Sequence, residues 1–472
     1  MQGCWSQLRN GLRWALLVSA ALGSTPLRAA DGHAADPWRF SEAAGLPDWL
    51  DLSGTQRTRY ETLAGQFRAG LPGSDQQLAF RTTLRLEAKS ELFSVVGEMM
   101  DSRQELADTG SAINTTMVDA VELLQGYAAV RFDGPFAADS RSELRLGRQT
   151  MDVGSRRLVA RNDFRNTINA FTGLHYQWHT QDGPTARAFY VLPVNRRPSD
   201  APSLRAHDIQ FDDESFDVQF WGLHAQWPKL PWGATGEAYV FGLHEEDSPD
   251  LATYNRQLYT PGLRLSRKPA KKTWDFDFES VLQCGTMRNS TAATNTTNLD
   301  HLAFFGHAEL GYTFDAAWTP RVSVIYDYAS GDHSPSDGDS NQFDTLYGAR
   351  RFDHGPTGIY GAFARANIQS PGLRLVAEPA KAVEVMGTYR PYWLASDTDA
   401  WTTSGVRDPS GNSGSFLGHQ LEARLRWNMF PGNVRLEVGG AYLFAGEFVR
   451  NAPNAPGQGD TAYGYVSLEL TF

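Results

Sequence analysis

Residues 77–89, QLAFRTTLRLEAK, place Leu78, Phe80, Thr82, Leu84, Leu86 and Ala88 on one face and Arg81, Thr83, Arg85, Glu87 and Lys89 on the other. Alternation with a period of two is the mark of a β-strand that has one apolar and one polar side. Residues 274–284, WDFDFESVLQC, repeat it, with Trp274, Phe276, Phe278 and Leu282 opposed by Asp275, Asp277, Glu279 and Gln283. Residues 301–314, 321–328, 417–428 and 434–444 follow the same rule. In a soluble sandwich the apolar face would be the core. In a sheet closed inside a bilayer the same face meets lipid and the charges line water.

The links between these segments favour the second arrangement. Short ones at 89–91, 133–141, 181–184, 228–233, 268–272, 315–319, 378–381 and 430–433 alternate with long polar ones at 101–122, 150–170, 194–215, 244–256, 285–298, 330–364, 395–416 and 447–460. One rim of turns and one rim of loops is the layout of an outer-membrane barrel. The expected fold is therefore all-β: a transmembrane antiparallel up-and-down β-barrel of about 18 strands, with 16 as the alternative count, short periplasmic turns and long extracellular loops.

Composition agrees. The chain has 472 residues, a net charge of −11 and 12% aromatic residues, with a mean hydropathy of −0.41. Beyond the N-terminus no segment approaches the roughly 20 uninterrupted apolar residues of a membrane helix, which excludes a helical membrane protein. Residues 1–30 read as a signal peptide: Arg9 and Arg13 precede the apolar run WALLVSAAL at 14–22, and Ala29 and Ala30 supply a cleavage site. Residues 31–48 would be a short periplasmic segment and 49–472 the barrel. Cleavage removes Arg9, Arg13 and Arg28 and no acid, leaving a net charge of about −14. Cys4 leaves with the signal, so Cys284 has no partner for a disulfide. The final segment, YGYVSLELTF at 463–472, sets Val466, Leu468, Leu470 and Phe472 against Ser467, Glu469 and Thr471, and it resembles the C-terminal strand by which the barrel-insertion machinery recognises its clients. Tyr60, Trp178, Trp227, Trp318, Trp393 and Trp427, near strand ends, are candidates for interfacial girdles.

The most unusual local composition is LRLGRQTMDVGSRRLVARNDFRNT at 144–167, where six arginines meet only Asp152 and Asp163. Together with YASGDHSPSDGD at 328–339, running on to QFD at 342–344, and GHQLEARLRW at 418–427 followed by residues 442–448, it resembles the alginate-export family of bacterial outer-membrane β-barrel porins. The likeness spans about residues 50–472. It implies an 18-stranded monomeric barrel whose arginine-lined constriction passes an anionic polysaccharide.

Strand parity identifies the lumen residues without the family. With apolar side chains in lipid, Arg57, Arg59, Arg81, Arg85, Lys89 and Arg145 point inward in the first strands, and Arg424, Arg426 and Arg435 near the C-terminus. Closure would set these groups side by side as a basic wall. The strands across carry Asp275, Asp277, Glu279, Glu309 and Asp327, an acidic wall, so the lumen should hold a transverse field. Arginine suits a carboxylate ligand because its guanidinium stays charged and donates two parallel hydrogen bonds. Arg156, Arg157, Arg161 and Arg165 lie in the 150–170 link, which is expected to bend into the lumen and narrow it. Arg148 has the opposite parity and needs a bulge or a loop start to avoid lipid. The competing reading pairs these arginines with Glu87, Glu143, Asp152 and Asp163 as structural pins.

Two further constellations are weaker. Asp332, Asp337, Asp339 and Asp344, with Gly331 and Gly338, could wrap a calcium ion, but their spacing departs from the EF-hand pattern and a hydrated loop is the stronger reading. No other cofactor is indicated. His175, His224, His301 and His307 come with no Gly-x-Ser-x-Gly elbow and no metal-ligand spacing, so no catalytic residue is assigned. The expected function is a channel for an anionic substrate, foremost an alginate-like uronate polysaccharide or oligosaccharide. A general or organic-acid-preferring porin for small solutes is the alternative, and an outer-membrane enzyme or adhesin the third. Expected partners are outer-membrane lipid and lipopolysaccharide, the anionic saccharide or small anionic solute, and the insertion machinery, with no nucleic acid and a monomeric state.

Overall fold

The computed structural model describes residues 36–472 except 72, 109, 138, 250, 335 and 458; the expected signal peptide lies outside the described residues. Eighteen strands form the wall. They are β1 (Leu50–Ala64), β2 (Ser74–Lys89), β3 (Phe93–Glu105), β4 (Asp119–Asp133), β5 (Ser140–Gln149), β6 (Phe171–Thr180), β7 (Thr185–Pro193), β8 (Val218–Leu230) and β9 (Ala234–Glu245). The second half comprises β10 (Gln257–Arg267), β11 (Trp274–Met287), β12 (Leu299–Thr313), β13 (Arg321–Ala329), β14 (Ile368–Ala380), β15 (Val383–Trp393), β16 (Phe416–Phe430), β17 (Val434–Ala445) and β18 (Thr461–Thr471). Each pairs antiparallel with the next, and β1 closes on β18 from Thr55 opposite Thr471 to Ala64 opposite Ala462. Closure leaves no unpaired strand edge, as lipid requires. A two-residue segment, Asp339–Ser340, pairs in parallel with β12 but belongs to a long loop, not the wall.

The alternation of short and long links is as the spacing predicts, and the count is 18, not 16. The link at 65–73, between β1 and β2, joins the long-loop rim without having been distinguished by composition. The expected 101–122 link shortens to 106–118 because β3 continues through Asp101 and Arg103, which point outward and neutralise one another at 2.9 Å. At the short-turn rim, Asn433 accepts from the Trp38 backbone N–H and donates to the Trp38 carbonyl, both at 2.8 Å, tying the N-terminal segment to the last turn.

Burial is inverted relative to a soluble sheet. On β2, Leu84 is 48% exposed while Arg81, on the opposite face, is 5% exposed. Replacing Leu84 with Arg puts a charge into the lipid-facing belt, a cost of about 2–4 kcal/mol near the midplane. The expected result is loss of the heat-modifiable folded band on electrophoresis; a normal band would reverse the assignment of inside and outside.

Arg148 is accommodated differently from the expectation. The bulge lies in the neighbouring strand: β4 accommodates one extra residue, Leu124, between the pairs Gln125–Glu98 and Leu123–Met99. Gly147, at φ +130°, lets β5 approach β4 so closely that a Cβ would overlap the Gly126 carbonyl. Arg148 then reaches Glu122 at 2.6 Å and Glu214 at 2.9 Å, so acids take its charge instead of lipid.

The apolar-out, polar-in rule also fails towards the long-loop rim, on several strands. Phe171, Phe189, Phe220 and Phe241, on β6–β9, are all buried, and their rings pack with centroids 5.3 Å apart for Phe189–Phe220 and 6.2 Å for Phe171–Phe220. Towards the long-loop rim this interior face is aromatic because loops fold down and cover it.

Candidate functional site

Two long loops build the centre of the lumen. In the 150–170 loop, Met151, Val153, Leu158 and Val159 are buried in the cluster that includes Phe171 and Phe220. Excluding that apolar surface from water draws the loop inward. The 330–367 loop lies against it: Tyr347 N–H donates to the Leu158 carbonyl at 3.0 Å, Ala160 N–H to the Tyr347 carbonyl at 3.2 Å and Ala349 N–H to the Arg156 carbonyl at 3.0 Å. The two loops thus share a short parallel ladder centred on Val159 and Tyr347.

Each end of this bridge is fixed to the wall. On the β1–β2 side, Arg57 donates to the carbonyls of Asp163 and Arg165, both at 2.6 Å, and Arg81 to the same two at 3.0 and 3.1 Å. Arg59 donates to the Phe164 carbonyl, packs over the Phe164 ring at 4.5 Å and pairs with Glu61 at 2.6 Å. On the β11 side, Arg157 joins Glu279 at 2.7 Å, Asp353 at 2.9 Å and Asp277 at 3.1 Å. Asp353, on the 330–367 loop, also takes Arg365, whose guanidinium donates to the Arg157 carbonyl.

The expected walls are both present as positions, yet neither is bare. Arg85 pairs with Glu87, Arg145 with Glu143, Arg424 with Glu384, Arg426 with Glu437 and Arg435 with Glu469. Across the lumen, Asp275 and Glu309 share Arg321, Asp277 holds Arg264, and Asp327 binds Arg390 at 2.7 Å and His307 at 2.6 Å. Neutralised in this way, the two walls oppose each other far less than two bare rows of charge would. Histidines 175, 224, 301 and 307 each bond to a neighbouring strand residue: Gln149, Glu237, Gln283 and Asp327.

What remains includes guanidiniums without a carboxylate in ion-pair range among the described residues: Arg57, Arg81, Arg156 and Arg165 from the sequence reading, and Arg68, Arg187, which donates to the Asp152 carbonyl, and Arg350 besides. Arg68 donates to the carbonyls of Ile359 and Tyr360. Both Arg68 and Arg350 point towards Gly361. Arg156, with φ +65°, is exposed and lies 5.2 Å from the centroid of the Phe352 ring. Burial, and then Arg165, Arg68 and Arg365, lower the proton affinity of Arg350, so three loops bring like charges together. Arg161 is satisfied, by Glu98 at 3.2 Å and Asp163 at 3.1 Å. Although burial pushes the Asp163 carboxyl up, Arg161 and Arg81 hold it below its ordinary range.

Among the described residues, no three of the four aspartates considered for calcium bring their carboxylate oxygens together as one ligand set. Asp344 pairs with Arg256 at 2.7 Å, Asp337 accepts from the Asp339 N–H, and Asp332 lies by Asp399. Sequence reasoning missed Arg264, Arg321 and Arg390, which inward parity would have revealed, and Arg68, Arg350 and Arg365, which lie in loops where parity says nothing.

A family model described as alginate export matches residues 48–461. Among solved structures, the fold is similar to that of OpdO from Pseudomonas aeruginosa, with 16% identity, 90% of this chain and 97% of that chain covered, and a TM-score of 0.55. OccK8 (OprE) from Pseudomonas aeruginosa gives 11%, 90%, 98% and 0.57 in the same order. OccAB3 from Acinetobacter baumannii gives 12%, 90%, 99% and 0.58. No curated protein matches the sequence.

Proposed function

Because the chain belongs to the alginate export family and is an outer-membrane porin channel, we propose that it passes an anionic, carboxylate-bearing saccharide, foremost an alginate-like uronate polymer or oligomer. The observation that carries this reading is the group of lumen arginines with no acidic partner: Arg57, Arg81, Arg165 and Arg350, joined by Arg68. Guanidiniums whose hydrogen bonds go to carbonyls keep their full charge for a passing carboxylate. Several such sites in series let one sugar unit leave as the next binds, whereas a single tight site would trap the chain. Contacts with the exposed Arg156 stay modest because salt screens them over about 8 Å, whereas Arg57 and Arg81, each 5% exposed, are screened less and offer only a small surface to a passing group.

A second reading, a porin for small organic acids, is favoured by the loop bridge itself, since Val159 and Tyr347 span the lumen between opposite walls. Planar-bilayer recordings separate the two. Uronate oligomers should block the current increasingly with chain length, with neutral oligosaccharides inert and reversal potentials showing anion preference. Permeation by small carboxylates with no dependence on uronate length would support the second reading, and equal block by neutral sugars would remove both. Arg350→Ala is expected to weaken uronate block while leaving heat-modifiable folding intact, because Arg350 makes no ion pair whose loss would expose a buried acid.

A further inference from the structure

We propose that the extracellular end of β4 and the 194–217 loop form a calcium site in which Asp119, Glu122 and Asp212 are the carboxylate ligands. One oxygen from each lies within 4.8 Å of the others. Two oxygens held at about 2.3–2.6 Å from one calcium ion can be no more than about 5 Å apart, so the three can share an ion as they stand. All three line a small cavity of about 10 Å³, room for one water-sized particle.

Independent of the clustering, Asp119 is only 2% exposed and its Oδ1 has no hydrogen-bond partner. A buried carboxylate oxygen facing a cavity without a donor is costly unless a ligand satisfies it. The nearby cations do not do so. Arg148 is divided between Glu122 and Glu214, and Arg196 donates to the Ile168 carbonyl at 2.8 Å and Asn169 Oδ1 at 2.9 Å. Counting Glu214, four carboxylates face two guanidiniums, an excess of two negative charges that one divalent cation would balance. Calcium fits better than magnesium because its coordination is flexible and takes more oxygens, while magnesium demands near-octahedral geometry and sheds water reluctantly. The ion would fasten the 194–217 loop to the barrel beside Arg148.

The test uses the folded full-length barrel in detergent, titrated with calcium chloride after treatment with EDTA. Calcium should raise the heat-modification midpoint of the wild type saturably, and calorimetry should show one site. Asp337→Asn, in the other acidic loop, should behave as the wild type. Asp119→Asn and Asp212→Asn, which keep shape and remove repulsion, should fold in EDTA, lose the calcium-dependent rise and bind about tenfold or more weakly. An absent rise in the wild type, or an undiminished one in both asparagine variants, overturns the proposal. So does stability in EDTA that increases on acidification with no response to calcium, since Asp119 and Asp212 would then be sharing a proton.

Discussion

Replacing Arg157 with alanine is expected to raise single-channel conductance several-fold and to make the open current noisier, with the barrel itself still folded. The Arg157 side chain is 4% exposed and is the only bond between the 150–170 loop and the Asp277–Glu279 pair besides Ser155, which donates to Glu279 at 3.0 Å. Its removal strands the buried carboxylates of Glu279 and Asp353, 1% and 3% exposed, without their partner. Breaking a buried pair from one side costs about 3–5 kcal/mol because the remaining charge is uncompensated. The wall does not bear that cost, since no strand-to-strand hydrogen bond involves Arg157; the loop bridge does, and it swings away from β11. Arg365 holds Asp353 from the other side and will limit the loss. The double variant Arg157→Ala with Asp353→Ala should therefore be less perturbed than the sum of the two single changes, a coupling that a mutant cycle measures. Unchanged conductance in the single variant would show that the bridge is not what restricts the lumen.

The contrast between strand and loop explains what the sequence could reveal. Residues 77–89 declare their faces locally, so the inward direction of Arg81 follows from Leu84 and Leu86 alone, and the same rule extends to Asp277 and Glu279. Parity cannot say what an inward arginine touches. Arg57 meets the carbonyls of Asp163 and Arg165, more than a hundred positions away, and that meeting depends on Met151, Val153 and Leu158 drawing their loop under the Phe171–Phe220 aromatics. Those aromatics face inward against the apolar-out rule because the loop presents Met151, Val153 and Leu158 to them, whereas Arg57 and Arg81 keep polar-in parity where the same loop presents carbonyls. Arg350 and Arg365 sit in a stretch without periodicity, so neither their convergence with Arg68 and Arg165 nor the pairing of Arg157 with Asp353 was legible.

Gly348→Ala should open the same bridge without touching a charge, and this separates obstruction from electrostatics. A Cβ on Gly348 would overlap the Arg157 carbonyl and come within 3.0 Å of the Leu158 nitrogen. Both are backbone atoms, so no rotamer change relieves the clash, and the cost should exceed the roughly 1–3 kcal/mol of ordinary overpacking. The hydrogen bonds that flank this point, from Tyr347 to Leu158 and from Ala349 to Arg156, are the ladder that keeps the two loops together. Forcing them apart should increase conductance as Arg157→Ala does, while the reversal potential stays near the wild-type value because Arg57, Arg81, Arg165 and Arg350 all remain. If anion preference collapsed together with the ladder, selectivity would have to come from the narrowness of the bridge and not from the unpaired arginines, and the carboxylate-saccharide reading would lose its main support. A rise in conductance with preference retained places restriction in the loop contact and selectivity in the guanidiniums.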